Sequence, residues 1–315
     1  MTSLEERQML RETVASLIDK HASSAAVRAA MDSPRGYDEA LWSLLCEQVG
    51  VAALVVPEEF GGAGGELADA AAVLEELGRA LVPTPLLGTT LAELALLAAD
   101  EPDSDTVEQL AAGVAIGAVV FDRDYVVNGD VADVVVAVED ARLVRWSDVS
   151  AEAVSTVDPT RRLARVTPGA TETIGTDPGI ADTAAILLAA EQVGAASRCL
   201  ELTVDYTKER VQFGRPIGSF QALKHRMADL YVAVQSARAV VGDAIAEPTA
   251  SSAALARLAA SEAFTTVAGE AIQLHGGIAI TWEHDIQLYF KRAHGSAQLL
   301  GPPREQLRRL ESEVF

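Results

Sequence analysis

Between Tyr206 and Gln221 the chain reads Tyr-Thr-Lys-Glu-Arg-Val-Gln-Phe-Gly-Arg-Pro-Ile-Gly-Ser-Phe-Gln, and three of these side chains suit binding chemistry. Arg210 offers a fork-shaped cation, Phe213 an aromatic face and Gln221 an amide. A guanidinium pairs bidentately with phosphate oxygens and an aromatic packs on another ring, so the set fits an anionic, aromatic ligand such as a dinucleotide. The same residue types also make an ordinary helical hairpin with a surface Arg. A second stretch, Gln273 to Glu283, carries the adjacent Gly276 and Gly277. Paired glycines let a backbone approach a ligand with no Cβ in the way and can turn N–H groups toward phosphate. After a helix they are more often a simple C-cap.

The elements that must position these residues follow from periodicity. A Ser-x-x-Glu pattern (Ser3, Glu6) opens a helix to about His21 with Leu4, Leu10, Val14 and Leu17 on one stripe. Asp38 caps a second helix, through Leu41, Leu44 and Leu45, which Gly50 ends. The Gly-rich run 61–65 forces a loop, a long helix covers about 67–81, and two more helical stretches follow Pro83-Thr84-Pro85 to about Ala112. Short Val-rich runs (114–121, 125–127, 131–138, 142–146, 163–166) then predict a small β domain. From about Ile180 helical periodicity returns, over four or five helices with two of them long. The expected domains are residues 1–112, 113–176 and 177–315. This order of helices, strands and helices is not the βαβ alternation of a Rossmann fold.

Composition excludes several functions. The 315 residues carry 25 Lys plus Arg against 46 Asp plus Glu, a net charge of −21, which repels nucleic-acid phosphates and anionic membranes. No apolar run reaches the roughly 18 residues of a membrane span. The first residues lack the basic patch and apolar run of a secretory signal, so a cytoplasmic protein is expected. Cys46 and Cys199 lie far apart with no metal-ligand pattern and read as small buried hydrophobes in a reducing compartment. His21, His225 and His284 read as solvated or capping side chains, and no metal is expected.

Taken together, Arg-x-Gln-Phe-Gly-x-Pro-Ile-x-x-Phe-Gln, the later Gln-x-x-Gly-Gly, Pro57-Glu58-Glu59-Phe60-Gly61-Gly62 and Glu75-Glu76-Leu77-Gly78-Arg79 closely resemble the acyl-CoA dehydrogenase family. The resemblance spans nearly the whole chain. It implies a mainly α fold with a small inserted β domain: an N-terminal helical domain, a middle β domain and a C-terminal four-helix bundle. It also implies FAD bound across a subunit interface, with Arg210, Phe213, Gln221, Gln273, Gly276 and Gly277 reaching to a neighbour's flavin. Arg210 would meet the pyrophosphate.

The resemblance fails at the chemistry. Family members remove an acidified α-proton with a carboxylate while the β-hydride passes to the flavin, and the base is usually Glu. Counted from Gly276-Gly277, one family base position is Leu300; counted back from Arg210, the other is Ala184, followed by Ala185. None of these side chains takes a proton. His294 lies six residues before Leu300, and His275 sits within the glycine turn; either is a weak substitute base. The middle domain is also cut down, because Ala118-Val119-Val120-Phe121 runs almost directly into Tyr125-Val126-Val127-Asn128-Gly129. The family's Thr-Glu-Pro and Gly-Ser-Asp segment is missing, and its Trp-x-x-x-Gly segment is reduced to a remnant without the Trp.

The losses fall on the half-site this chain would build for itself, while the half offered to a neighbour is intact. That asymmetry resembles the small subunit of actinobacterial heteromeric acyl-CoA dehydrogenases, many linked to steroid degradation. The resemblance implies an α2β2 tetramer whose larger subunit supplies the Glu base and the flavin-ring pocket. It further implies a bulky acyl-CoA substrate and an electron-transfer flavoprotein as acceptor. Two other readings stay open: a self-sufficient homo-oligomeric flavoenzyme using another base such as Asp182, and a flavin-free structural subunit.

Overall fold

A computed structural model describes residues 4–314, the side chains of 312–314 excepted. Six helices come first: α1 (Leu4–His21), α2 (Ser24–Met31), α3 (Glu39–Val49), α4 (Leu67–Arg79), α5 (Leu86–Leu97) and α6 (Ser104–Ala111). The Asp38 carboxylate accepts the Ala40 and Leu41 N–H groups at 2.9 and 3.0 Å, and Gly50 closes α3 at φ 73°, as the sequence signals require. The expected Ser3 cap lies outside the described residues.

Seven strands follow, β1 (Gly117–Val120), β2 (Val126–Val127), β3 (Val134–Glu139), β4 (Arg142–Ser147), β5 (Ser150–Val154), β6 (Leu163–Thr167) and β7 (Ala170–Thr176). They form a four-stranded sheet, β1-β3-β4-β7, and a three-stranded one, β2-β6-β5. Only the β1/β3 pair is parallel among these, with Gly117 opposite Val134. Val120, Val126, Val135, Trp146 and Ala164 fill the space that the two sheets share. Strands β5 and β7 are absent from the Val-rich pattern because both are sheet edges, largely exposed, and spelled in Ala, Glu, Thr and Ser. The first strand begins at Gly117 rather than Val114, whose side chain is exposed.

The C-terminal part consists of α7 (Ile180–Glu209), the short pair β8 (Val211–Gln212) and β9 (Arg215–Pro216), then α8 (Gln221–Ala246), α9 (Ala250–His275), α10 (Ile286–Gln298) and α11 (Pro303–Val314). Three of these helices are long, at 30, 26 and 26 residues, where the sequence suggested two. The α7 helix is the hub, packed on α4, α8 and α9. Its approach to α4 depends on two glycines that face each other's helix. A Cβ on Gly78 would stand 2.2 Å from the Glu191 carbonyl oxygen, and one on Gly194 would stand 2.0 Å from that of Glu75. Small residues at these positions thus tie the N-terminal helices to the C-terminal bundle. Among the described residues, no helix is long and apolar enough to cross a membrane.

Candidate functional site

The first sequence motif sits where α7 ends. Arg210 leaves the helix in an extended conformation, and its carbonyl accepts the Ile217 N–H at 2.8 Å, closing a tight loop around the β8/β9 pair. Phe213 and Gly214 turn that loop at φ 53° and 76°. A bulky residue at positive φ is a backbone outlier, and here its ring is 91 % exposed, held only edge-on to Phe220 at 6.2 Å. Gln221 begins α8 with its side chain in solvent.

The second motif ends α9. Gln273 is exposed in the last turn, Gly276 bends the chain at φ 66°, and a Cβ on Gly276 or Gly277 would meet open space. The two motifs are joined at Tyr206 and His275: the Tyr206 hydroxyl donates to the His275 carbonyl at 3.2 Å, and their rings stack at 4.3 Å. His275 is buried, its Nδ1 lies 2.8 Å from the Ala271 carbonyl oxygen, and burial pushes its pKa down. It therefore stays neutral and props the glycine turn. His284 caps α10, its Nδ1 accepting the Ile286 N–H at 3.2 Å. All six expected binding residues, Arg210, Phe213, Gln221, Gln273, Gly276 and Gly277, are exposed. Among the described residues no carboxylate pairs with the Arg210 guanidinium.

A separate cleft of about 970 Å³ lies between α5, the sheets, the start of α7 and the α10–α11 connection. Leu300, with φ 60°, and Ala185 line it, whereas Ala184 is fully buried in the core and does not. The residues at the counted base positions offer no titratable group. His294 stands exposed at the rim. Asp182 is ion-paired with Arg309.

Beneath that cleft is an ion network that motif reasoning did not find. Arg292, 4 % exposed, donates from Nε to Asp158 at 2.7 Å and from Nη2 to the Thr160 carbonyl at 2.8 Å, and it pairs with Glu191. Arg161 pairs with the same carboxylate. Burial raises the Glu191 pKa, but the two guanidiniums outweigh it and hold the carboxyl below its ordinary value. Arg257, on α9, donates to the Gln192 amide oxygen at 2.8 Å and the Leu299 carbonyl at 2.7 Å; burial, and then Arg161, pull its pKa down to about 9. The available signal was Glu191, Gln192 and Arg257 interrupting runs of Ala on otherwise apolar helices. Among the described residues no group of three or more His, Cys, Asp or Glu could hold a metal ion.

Helical N- and C-terminal parts around a small β region are the architecture of an acyl-CoA dehydrogenase. The family models for the acyl-CoA dehydrogenase N-terminal domain (residues 4–113) and C-terminal domain (residues 181–311) match the chain, which belongs to that family. It is 74 % identical over 315 residues to acyl-CoA dehydrogenase IpdE2 of Mycobacterium tuberculosis, covering 100 % of this chain and 99 % of that one. Similar solved structures include the Tcur3481-Tcur3483 steroid ACAD G363A variant, at TM-score 0.89 and 28 % identity over 98 % of both chains. The ChsE4-ChsE5 complex from Mycobacterium tuberculosis has TM-score 0.88 and 26 % identity over 99 % of this chain and 98 % of that one. Membership of the family implies FAD. The exposed Phe213 ring, the uncovered glycine turn and the unpaired Arg210 suit an aromatic dinucleotide.

Proposed function

We propose that this chain is the base-free subunit of a heteromeric, FAD-dependent acyl-CoA dehydrogenase and donates the dinucleotide-binding half of a site shared with a larger subunit. One observation carries the reading: a complete set of exposed binding residues coexists with family base positions that hold Leu300, on the cleft wall, and Ala184, buried in the core behind Ala185. Arg210 would pair with the pyrophosphate, Phe213 would cover an aromatic ring, and Gln221 and Gln273 would supply amide hydrogen bonds. The Gly276-Gly277 turn would admit the ligand's close approach, with the Tyr206–His275 stack holding that turn in place. FAD, when bound, supplies the hydride acceptor. The proton-abstracting carboxylate and the flavin-ring pocket belong to the partner in this reading.

The heteromers named among the similar structures support an α2β2 assembly with a larger acyl-CoA dehydrogenase subunit. The steroid enzyme among them supports a bulky, steroid-derived acyl-CoA as substrate. An electron-transfer flavoprotein is the proposed acceptor. Domains bounded at 1–112, 113–176 and 177–315 and a cytoplasmic location complete the reading.

The test is co-purification with a full-length acyl-CoA dehydrogenase partner, followed by flavin absorbance and native mass. A colourless chain alone, and about one FAD per pair of unlike chains in the complex, is the expected result. A chain yellow by itself at one FAD per polypeptide refutes the shared-site reading.

A further inference from the structure

The cleft lined by Leu300 and Ala185 has the volume and wall chemistry of a ligand site. Its roughly 970 Å³ stands at the upper end of the range of about 300–1,000 Å³ that holds small molecules. Leu87 and Leu91 from α5, Val119, Phe121, Leu163 and Leu299 make its walls apolar. Arg161 lines its inner end, with a side chain only 9 % exposed. One end of that guanidinium holds Glu191, and its Nε has no hydrogen-bond partner.

Charge is unevenly distributed along the cleft. Behind the inner end, Arg257 and Arg292 join Arg161 against two carboxylates, Glu191 and Asp158, of which Asp158 also lines the cleft. A buried cation excess is costly until an anion or acceptor reaches it. At the rim the sign reverses. Asp122 and Glu305 are exposed there with no ion-pair partner among the described residues, and Arg309 is paired with Asp182. The phosphates of coenzyme A would have to pass or lie beside these acids, whereas one carboxylate on a compact apolar body would pass inward to Arg161.

We infer that this cleft is a second binding site, for a bulky apolar carboxylate free of coenzyme A. Binding stands on the cavity and on Arg161 alone. That the ligand is held without turnover rests on the reading of this chain as the base-free subunit.

The test is calorimetric titration of the full chain, and of its complex with the larger subunit, using cholate below its micellar range and then cholyl-CoA. Saturable cholate binding is expected, with cholyl-CoA weaker. Arg161→Gln should weaken cholate by about 10- to 100-fold, the loss of one charged hydrogen bond. Because Arg161 also braces Glu191, a second variant is needed: Ala181→Trp, at the half-buried edge of the cleft, should abolish binding by filling it. Failure to bind cholate in either preparation, or binding that Ala181→Trp leaves intact, overturns the site. Cholyl-CoA binding more tightly than cholate overturns its coenzyme-free character. Flavin content is read separately, so failure of the shared-site reading leaves these outcomes interpretable.

Discussion

The half-site at the ends of α7 and α9 and the network beneath the cleft are both built around arginines, yet they answer the problem of charge in opposite ways. Arg292 is buried and saturated by Asp158, Glu191 and Thr160, so its role is complete within the chain. Arg210 is exposed, with no carboxylate partner among the described residues, beside an uncovered Phe213 at positive φ. Folding explains the first arrangement, because a buried charge must be paired. No carboxylate among the described residues accounts for the second, and the ligand proposed to be shared with another subunit would.

Breaking the buried region should produce the largest effect. Arg292→Leu leaves Asp158 and Glu191 with fewer partners and should cost about 3–5 kcal/mol, measured by urea unfolding. Arg210→Ala should do the reverse: unfolding stays unchanged, while FAD affinity of the complex falls by about 1.5–3 kcal/mol, read by flavin release. Equal loss of stability in both variants would erase the contrast between the regions.

A smaller, pH-dependent effect concerns Glu93, fully buried on α5, with neither carboxylate oxygen hydrogen-bonded. Burial pushes its pKa well above the ordinary 4.5. The folded chain therefore keeps a proton that the unfolded chain releases. Stability is complete below about pH 4.5 and declines as the pH rises toward the folded value, by at most about 1.4 kcal/mol per unit. Glu93→Gln should flatten that decline, as urea titrations at acid and alkaline pH would reveal. The smallest effect is expected for Asp182→Asn, which breaks one partly exposed pair with Arg309. Turnover of the complex should stay within about threefold, consistent with a pair worth about 1 kcal/mol or less. A fall of several orders of magnitude would make Asp182 the base and favour the self-sufficient enzyme.

Much of the fold was legible because its signals are local. Asp38 and Gly50 bound α3 as their types dictate, and the order of helices, strands and helices follows from periodicity. The edge strands β5 and β7 were not legible, since an exposed strand needs no apolar alternation and is held by its neighbour's backbone. The motif residues could be singled out by type, but their joining through Tyr206 and His275 spans 69 positions and has no local signature.

By itself the sequence determined which groups are present: an exposed-type Arg, Phe and Gln set, a glycine pair, and Leu300 and Ala184 where a carboxylate would be needed. Tertiary structure alone decided which position faces what. Ala185 and Leu300 line the cleft while Ala184 turns into the core, and Arg161, Arg257 and Arg292 converge from distant segments around Glu191 and Asp158. The physical reason is that burial and charge pairing depend on distance in space, and chain order fixes that distance only within a few helical turns.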